Sequence, residues 1–175
     1  MMAFVVRERP AGDAVDVAVA ALWREHYRPL VRLASLLLDD VGTCEEVVQD
    51  AFVRLHVSWG RLRDTERAPA WLRSAVLNGA RSRLRRRQVA QRHLTVVRDG
   101  VESAEAWALV DERHRTVIAA LRRLPQRQRE ALALKFYLDL SEAEIAEAMG
   151  VSAGSVKTHV HRGLATLTEL LEDER

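Results

Sequence analysis

The feature that most constrains the fold is a capped short helix followed by a glycine turn and a long amphipathic helix, all within residues 124–171. Ser141 and Glu144 have the spacing of a capping box, which predicts the start of the short helix. Gly150 can adopt a positive φ and end this helix, and Ser152 can cap the next one. The combination is typical of a helix-turn-helix, whereas an ordinary helical hairpin does not require it.

The second helix of this motif is predicted to have one apolar and one polar face. The apolar stripe is formed by Val156, Val160, Leu164, Leu167 and Leu171. The residues expected to face outward are Lys157, Thr158, His161 and Arg162. Cationic side chains can contact phosphates or guanine edges, and hydroxyl and imidazole groups can hydrogen-bond to bases. The motif therefore predicts DNA reading in the major groove.

Apolar residues recur at helical spacing throughout the chain, which predicts an all-α fold. The periodic stretches are residues 23–37, 43–55, 72–84, 107–121 and 125–138. We expect the second to begin at Thr43, with the Thr43 hydroxyl as the cap and Glu46 reaching back. No alternating strand pattern competes with these helices.

Two stretches interrupt the helical pattern and suggest how the chain is divided. Residues 58–69 are predicted to form an exposed loop, and residues 88–103 a flexible linker. The chain is thus expected to form two small helical domains, at residues 17–87 and 104–175, with the helix-turn-helix in the second. Residues 1–16 are predicted to be a mobile extension.

Charge is distributed unevenly along the chain, although the formal net charge is only +2. Residues 39–50 contain five acids and no bases, whereas residues 81–92 contain six arginines and no acids. A basic run suits a phosphate backbone, and an acidic helix face suits a basic protein partner. The alternative is that both stretches are simply solvated helix faces.

Several classes of function have no motif in this sequence. It contains no glycine-rich phosphate loop, no cluster with metal-ligand spacing and no recognisable catalytic arrangement, so we predict no enzyme activity, metal or cofactor. Cys44 is the single cysteine and the N-terminus lacks a secretion pattern, which favours the reducing cytoplasm. No stretch approaches the roughly 20 apolar residues that membrane insertion needs.

Three segments, in this order, resemble bacterial RNA polymerase sigma factors of the extracytoplasmic-function (ECF) group, in the sigma-70 family. The sequence CEEVVQDAF at residues 44–52 resembles the core-binding helix of that group. Trp71 and Leu72, followed by Asn78 and the arginine cluster, resemble its promoter-melting helix, and residues 124–171 resemble its second DNA-binding domain. The resemblance covers residues 19–171. It implies a subunit that binds core RNA polymerase, directs it to promoters and assists melting, without being an enzyme itself.

The resemblance also implies which residues contact each partner. Core polymerase would be contacted by Glu45, Glu46, Gln49 and Asp50. Melted minus-ten DNA would be held by the loop residues Leu62, Arg63, Asp64 and Thr65 and by the helix residues Asn78, Arg81, Arg83 and Arg85. The double-stranded minus-thirty-five element would be read by Lys157, Thr158, His161 and Arg162. The family often works under an anti-sigma factor, so such a partner is expected.

Some positions leave alternatives open. Trp71 has the spacing of a core residue, which we favour over contact with DNA. Trp59 precedes a glycine and either is exposed or anchors the loop. Leu62 stands where the family often has an aromatic residue.

Two other functions also fit parts of the sequence. A dimeric helix-turn-helix repressor would predict palindromic operators. An interaction protein that sequesters a partner through the acidic helix is a third possibility, against which the helix-turn-helix argues.

Overall fold

The computed structural model describes residues 12–93 and 112–173, and all regular elements in these two ranges are helical. The N-terminal bundle consists of α1 (Gly12–Leu37), α2 (Val41–Ser58) and α3 (Ala68–His93). The C-terminal bundle consists of α4 (Glu112–Arg123), α5 (Gln126–Leu132), α6 (Glu142–Met149) and α7 (Ala153–Glu172). The predicted all-α class is confirmed. The predicted helical residues 107–111 and most of the predicted linker lie outside the described ranges.

The three helices of the N-terminal bundle pack around one apolar core. Leu33 of α1, Leu55 of α2 and Leu72 of α3 are fully buried in it. Gly79 allows α3 to approach α2 closely, because a Cβ atom there would lie 2.7 Å from Cγ1 of Val47. The spacing between these two helices therefore depends on a residue without a side chain.

Three helix boundaries differ from the prediction. α1 begins at Gly12, so residues 12–16 are helical and not part of a mobile extension. α3 continues to His93, beyond the predicted start of the linker at residue 88. α2 begins at Val41, because Asp40 caps it and its carboxylate accepts a hydrogen bond from the backbone N–H of Thr43 at 2.6 Å. The predicted cap by the Thr43 hydroxyl and Glu46 is thus wrong, since the aspartate one turn earlier performs this role.

The segment between α2 and α3 is more ordered than the predicted loop. It contains two short 3₁₀ turns, Trp59–Arg61 and Thr65–Arg67. The Asp64 carboxylate caps the second turn by accepting a hydrogen bond from the backbone N–H of Glu66 at 2.9 Å. Pro69 lies in the first turn of α3, where its missing N–H is not needed.

The helix-turn-helix has the predicted caps and turn. Ser141 and Glu144 form a reciprocal capping box at the start of α6, and Gly150 ends this helix in the left-handed conformation, with φ of 67°. Ser152 caps α7 by accepting a hydrogen bond from the backbone N–H of Ser155 at 3.1 Å. Val156 is fully buried beneath the motif, as its place in the apolar stripe predicts.

The prediction that Leu164 belongs to the apolar stripe is wrong, since this side chain is 40% exposed. Its neighbour Gly163 is buried instead, and a Cβ atom there would lie 3.1 Å from Cγ of Leu132. Because α7 faces α5 through this glycine, the adjacent Leu164 is turned outward. α5 itself continues into a π-helical turn, Ala133–Tyr137.

The two bundles pack directly against each other, which the prediction of two linked domains did not include. α6 lies against α3, while α4, α5 and the π-helical turn contact α1. One apolar cluster contains buried residues of both bundles, among them Leu72 and Ile145. At its edge, Arg129 of α5 donates a hydrogen bond to the carbonyl oxygen of Leu37 in α1 at 3.0 Å. Burial lowers the pKa of this guanidinium.

Candidate nucleic-acid interface

The outward face of α7 is the first candidate surface for DNA. Lys157, Thr158, His161 and Arg162 are all exposed. Val156, on the opposite face of the helix, is fully buried. One face of α7 therefore packs against the core, and the other face is exposed to solvent. The N-cap of α7 and the left-handed glycine before it fix the direction in which this helix leaves the turn.

Local contacts already orient part of this face. Nζ of Lys157 lies 3.6 Å from a carboxylate oxygen of Glu142, so the ammonium group is held toward α6. The hydroxyl of Thr158 donates a hydrogen bond to the carbonyl oxygen of Gly154 at 3.0 Å, which leaves its lone pairs able to accept another. Neither interaction buries the polar atoms, and both can be exchanged for contacts with DNA.

The sequence analysis missed the first turn of α7 as part of this surface. Gly154 is exposed and Ser155 is half-buried beside it. A recognition helix contacts base edges mainly through its N-terminal residues, and these two precede Lys157 on the same helix. The capping role of Ser152 was the available signal, because it fixes where that first turn begins.

The loop residues expected to hold minus-ten DNA fall into two groups. Arg63, Asp64 and Thr65 are exposed. Leu62 is half-buried and packs against the apolar core, as Trp59 and Trp71 do. The Asp64 carboxylate is further occupied by its hydrogen bond within the loop. Exposed backbone and cationic atoms of this loop are therefore the groups best placed to meet a nucleotide.

The helix residues of the same set lie along α3, but in different surroundings. Asn78 and Arg85 are exposed. Arg81 is only 14% exposed, and its Nη1 donates a hydrogen bond to Oδ1 of Asn78 at 2.9 Å. Arg83 points toward α2, where its Nη2 lies 3.0 Å from a carboxylate oxygen of Glu46. The cations predicted to bind DNA are therefore partly engaged within the chain.

The candidate polymerase-binding residues lie on one exposed face of α2. Glu45, Glu46, Gln49 and Asp50 are all exposed, while Val47 and Val48 between them are buried. Glu46 and Asp50 both approach Arg83, at 3.0 and 3.9 Å. The acidic and basic stretches recognised in the sequence therefore face each other across α2 and α3.

Neither metal binding nor membrane insertion finds support in the part of the chain that the structure describes. No group of three or more His, Cys, Asp or Glu side chains among them could hold a metal ion. Within the same ranges, no helix is long and apolar enough to cross a membrane.

The helix-turn-helix presents an exposed cationic helix, and the other bundle carries one acidic and one basic helix. These features together define a DNA-binding protein that also has a surface for a protein partner. Comparison with known families gives the specific identity. Residues 7–89 match the model of sigma-70 region 2, and residues 114–167 match that of sigma-70 region 4. The chain belongs to the ECF sigma factors of the sigma-70 family, which direct RNA polymerase to promoters.

A curated relative supports this assignment, and two solved structures share the fold. The ECF RNA polymerase sigma factor SigM of Mycobacterium tuberculosis is 35% identical over 165 residues, covering 92% of this chain and 80% of the relative. CnrH, solved in complex with the cytosolic domain of CnrY, has a similar fold, with a TM-score of 0.70, 23% identity and coverage of 94% and 98% of the two chains. RpoE of Bartonella quintana, solved with the anti-sigma factor NepR, gives a TM-score of 0.69, 24% identity and coverage of 93% and 97%.

The family match also decides between the functions that the sequence left open. The N-terminal bundle matches the sigma-70 region 2 model, whereas a dimeric repressor would carry a dimerisation or effector domain there. The repressor alternative is therefore not supported.

Proposed function

We propose that α7 reads the minus-thirty-five element of a promoter through Lys157, Thr158, His161 and Arg162. The observation that carries this assignment is the polar face of α7, which is exposed on a helix whose other face is buried and whose start is fixed by a cap and a glycine turn. The backbone of such a helix is already ordered, so that reaching base edges requires only the side-chain rotamers to be fixed.

The minus-ten element would be bound by the loop after α2 and the exposed side of α3. Arg63, Thr65 and Asn78 are exposed there and offer cationic, hydroxyl and amide groups to a strand. Leu62 and Asp64 would support the loop, the first by packing and the second by capping. Arg81, Arg83 and Arg85 would hold phosphates, which requires the first two to leave their present carboxylate partners.

Core polymerase would bind the exposed face of α2. Within the described part of the chain, Glu46 and Asp50 hold Arg83, whereas Glu45 and Gln49 project from the same face without a described partner. An acidic helix favours approach to a basic protein surface, and its charges mainly affect the rate and specificity of association. The chain would act in the cytoplasm and would leave the chemistry of RNA synthesis to the polymerase.

An anti-sigma factor is a further proposed partner. CnrH and RpoE, whose folds resemble this one, were solved with CnrY and with the anti-sigma factor NepR. A partner of this kind would act by covering the DNA-binding surfaces of both bundles.

The test of DNA reading is run-off transcription with purified core polymerase and a library of genomic fragments. We expect start sites that appear only when this protein is added. At these promoters, the double variant Lys157→Ala/Arg162→Ala should reduce transcript by at least about tenfold, because two phosphate or base contacts at about 1–3 kcal/mol for a good pair are lost. The matched control is Thr168→Ala/Glu169→Ala, which truncates two exposed residues further along α7. Equal loss in both double variants would refute the assignment.

The test of polymerase binding is a pull-down of core polymerase with a variant that leaves Arg83 and its partners in place. Glu45→Lys/Gln49→Ala should reduce capture several-fold, since it reverses one exposed charge and removes one exposed amide on α2. The control is Glu169→Lys, which makes the same charge reversal on α7. Capture that is undiminished by the α2 variant would remove these residues from the interface.

A further inference from the structure

A small cavity lies on the surface between α2 and α3, within the N-terminal bundle. Its volume is about 60 Å³. Small residues on the facing sides of the two helices leave this space open, namely Ala51 on α2 and Ala75 and Gly79 on α3. Because one water molecule needs about 10–15 Å³ of cavity volume, the cavity has room for several waters or for one group of about five heavy atoms.

The polar wall of this cavity is mainly cationic. Three arginines contribute to it but only one acid, together with one residue that carries a hydroxyl group. These residues are Arg54, Arg83, Arg86, Asp50 and Ser82. A concave surface with an excess of one charge concentrates the field of that charge, so the cavity favours an anion.

The three arginines differ in what they already bind. Nη2 of Arg83 lies 3.0 Å from a carboxylate oxygen of Glu46 and 3.9 Å from one of Asp50. Arg54 and Arg86 are exposed, and neither forms an ion pair with another residue in the part of the chain that the structure describes. Two guanidinium groups of the cavity are therefore available to an external anion.

The directions of α2 and α3 bring these two side chains toward each other. Asp39, just before α2, lies 2.9 Å from Arg87 in the second half of α3, and a short segment joins the end of α2 to the start of α3. The two helices therefore run in opposite directions. Long side chains lean toward the N-terminus of their own helix. Arg54 and Arg86 thus lean over the cavity from its two ends.

We propose that this cavity binds a phosphate group, carried either by a nucleic-acid backbone or by a free phosphorylated compound. A guanidinium group can donate two parallel hydrogen bonds to a phosphate, and Arg54 and Arg86 supply such groups from two helices. The Ser82 hydroxyl can donate a further hydrogen bond. Asp50 opposes an anion, but its contact with Arg83 is long and exposed, and can be exchanged at small cost.

This site goes beyond the proposed function. Of its cations, only Arg83 belongs to the proposed minus-ten set, and neither Arg54 nor Arg86 is assigned to DNA or to polymerase. Arg54 also lies on α2, the helix whose acidic face is proposed to bind polymerase. A phosphate in the cavity would therefore contact both helices at once.

The test uses two phosphate probes with the purified full chain at low ionic strength. Inorganic pyrophosphate is titrated by calorimetry, and a short fluorescein-labelled oligo-dT strand is titrated by fluorescence anisotropy. Arg54→Gln/Arg86→Gln should weaken the binding of at least one probe about tenfold, because two charge-assisted donors are lost. The matched control is Arg24→Gln/Arg28→Gln, which removes two exposed arginines from α1 and produces the same net charge.

A second variant fills the cavity with an anion instead of removing its cations. Ser82→Glu places a carboxylate beside the three arginines, where it competes with a phosphate for the same donors. It should weaken the same probe that Arg54→Gln/Arg86→Gln weakens. Its control is Thr168→Glu, which adds the same charge at an exposed position of α7. Helical circular dichroism checks that each variant is folded.

The two probes distinguish the sources of the phosphate group. For a nucleic-acid backbone, the double variant should weaken binding of oligo-dT and lower the slope of log K against log salt by about 0.7, the value for one phosphate of a single strand. For a free phosphorylated compound, the double variant should weaken binding of pyrophosphate. Either result supports a phosphate site in this cavity.

The proposal is overturned if neither probe distinguishes the cavity variants from their controls. Equal weakening by Arg54→Gln/Arg86→Gln and Arg24→Gln/Arg28→Gln would show that binding depends on net charge alone. These measurements require neither polymerase nor a promoter. Failure of the chain to direct start sites in run-off transcription would instead count against the proposed function.

Discussion

Gly79→Ala should destabilise the N-terminal bundle, although alanine is normally the better residue inside a helix. The substitution by itself would stabilise α3 by about 1 kcal/mol. The new Cβ atom, however, would lie 2.7 Å from Cγ1 of Val47, which is a clash with a buried side chain. Val47 is β-branched and has one strongly preferred rotamer in a helix, so it cannot turn away at low cost. Overpacking of this kind costs about 1–3 kcal/mol, which gives a net loss of about 1 kcal/mol.

Two further comparisons separate the effect of the clash from the effect of helix propensity. Gly154→Ala is the matched control, because a Cβ atom there would meet only Oγ of Ser152 at 3.9 Å, and we expect a gain of about 0.5–1 kcal/mol. In a Val47→Ala background the obstructing methyl groups are gone, and Gly79→Ala should then stabilise by about 1 kcal/mol. The resulting coupling energy of about 2 kcal/mol is within the range for side chains in contact.

The assay is urea unfolding of the wild type, the three variants of this cycle and the control, followed by far-ultraviolet circular dichroism. Changes in midpoint at a constant m-value report the free energy of unfolding. The reasoning fails if Gly79→Ala stabilises the wild type as much as Gly154→Ala does. It also fails if the effect of Gly79→Ala is the same with and without Val47. A confirmed coupling would show that the spacing between α2 and α3, the helices proposed to bind polymerase and DNA, depends on Gly79.

Three further predictions test local features of the fold. Hydrogen bonds from Ser141 lower the pKa of Glu144, so this contact stabilises the folded protein above the unfolded pKa of about 4.3 and is lost as the pH falls through the folded pKa. In urea titrations, Ser141→Ala should lower the free energy of unfolding by about 1 kcal/mol at pH 7 and by less at acidic pH. Burial raises the pKa of Cys44 to about 12, so its reaction with a disulfide reagent at pH 8 should be much slower in the native protein than in urea, and equal rates would contradict the structure. Asp139 has a φ of 51°, so Asp139→Ala should lower the free energy of unfolding by about 1 kcal/mol while Asp139→Gly changes it little.

Features that depend on neighbours within one helical turn were predictable from the sequence. The capping and turn residues of the helix-turn-helix act on partners close to them in sequence, and the structure confirms the predicted role of each one: Ser141, Glu144, Gly150 and Ser152. The start of α2 was predicted wrongly by the same logic. Asp40 and Thr43 are both good caps, and local spacing alone does not decide between two candidates one turn apart.

Features that depend on packing between distant segments were not predictable. Glu130 lies among arginines and glutamines in a sequence that looks solvated, yet it is buried and hydrogen-bonded to Arg81 of α3. Leu164 follows the apolar periodicity but faces outward, since α7 approaches α5 through Gly163. In each case the partner is more than 30 residues away, and no short-range pattern indicates that the two segments meet.

The charged stretches are paired within the chain and are still accessible to the proposed partners. Arg83 bridges Glu46 and Asp50, and Arg87 lies 2.9 Å from a carboxylate oxygen of Asp39. These side chains are at least one-third exposed, and pairs of this kind contribute about 0–1 kcal/mol each. A phosphate or a polymerase cation can therefore replace the internal partner at small cost. The buried pair of Arg81 and Glu130 differs, because separating it without separating the bundles would leave the buried carboxylate with only the longer contact to Arg127, at 3.4 Å. Each exposed ion pair can thus exchange its internal partner for an external one independently of the others. In the buried pair, by contrast, Arg81 can bind an external group only if the C-terminal bundle moves away.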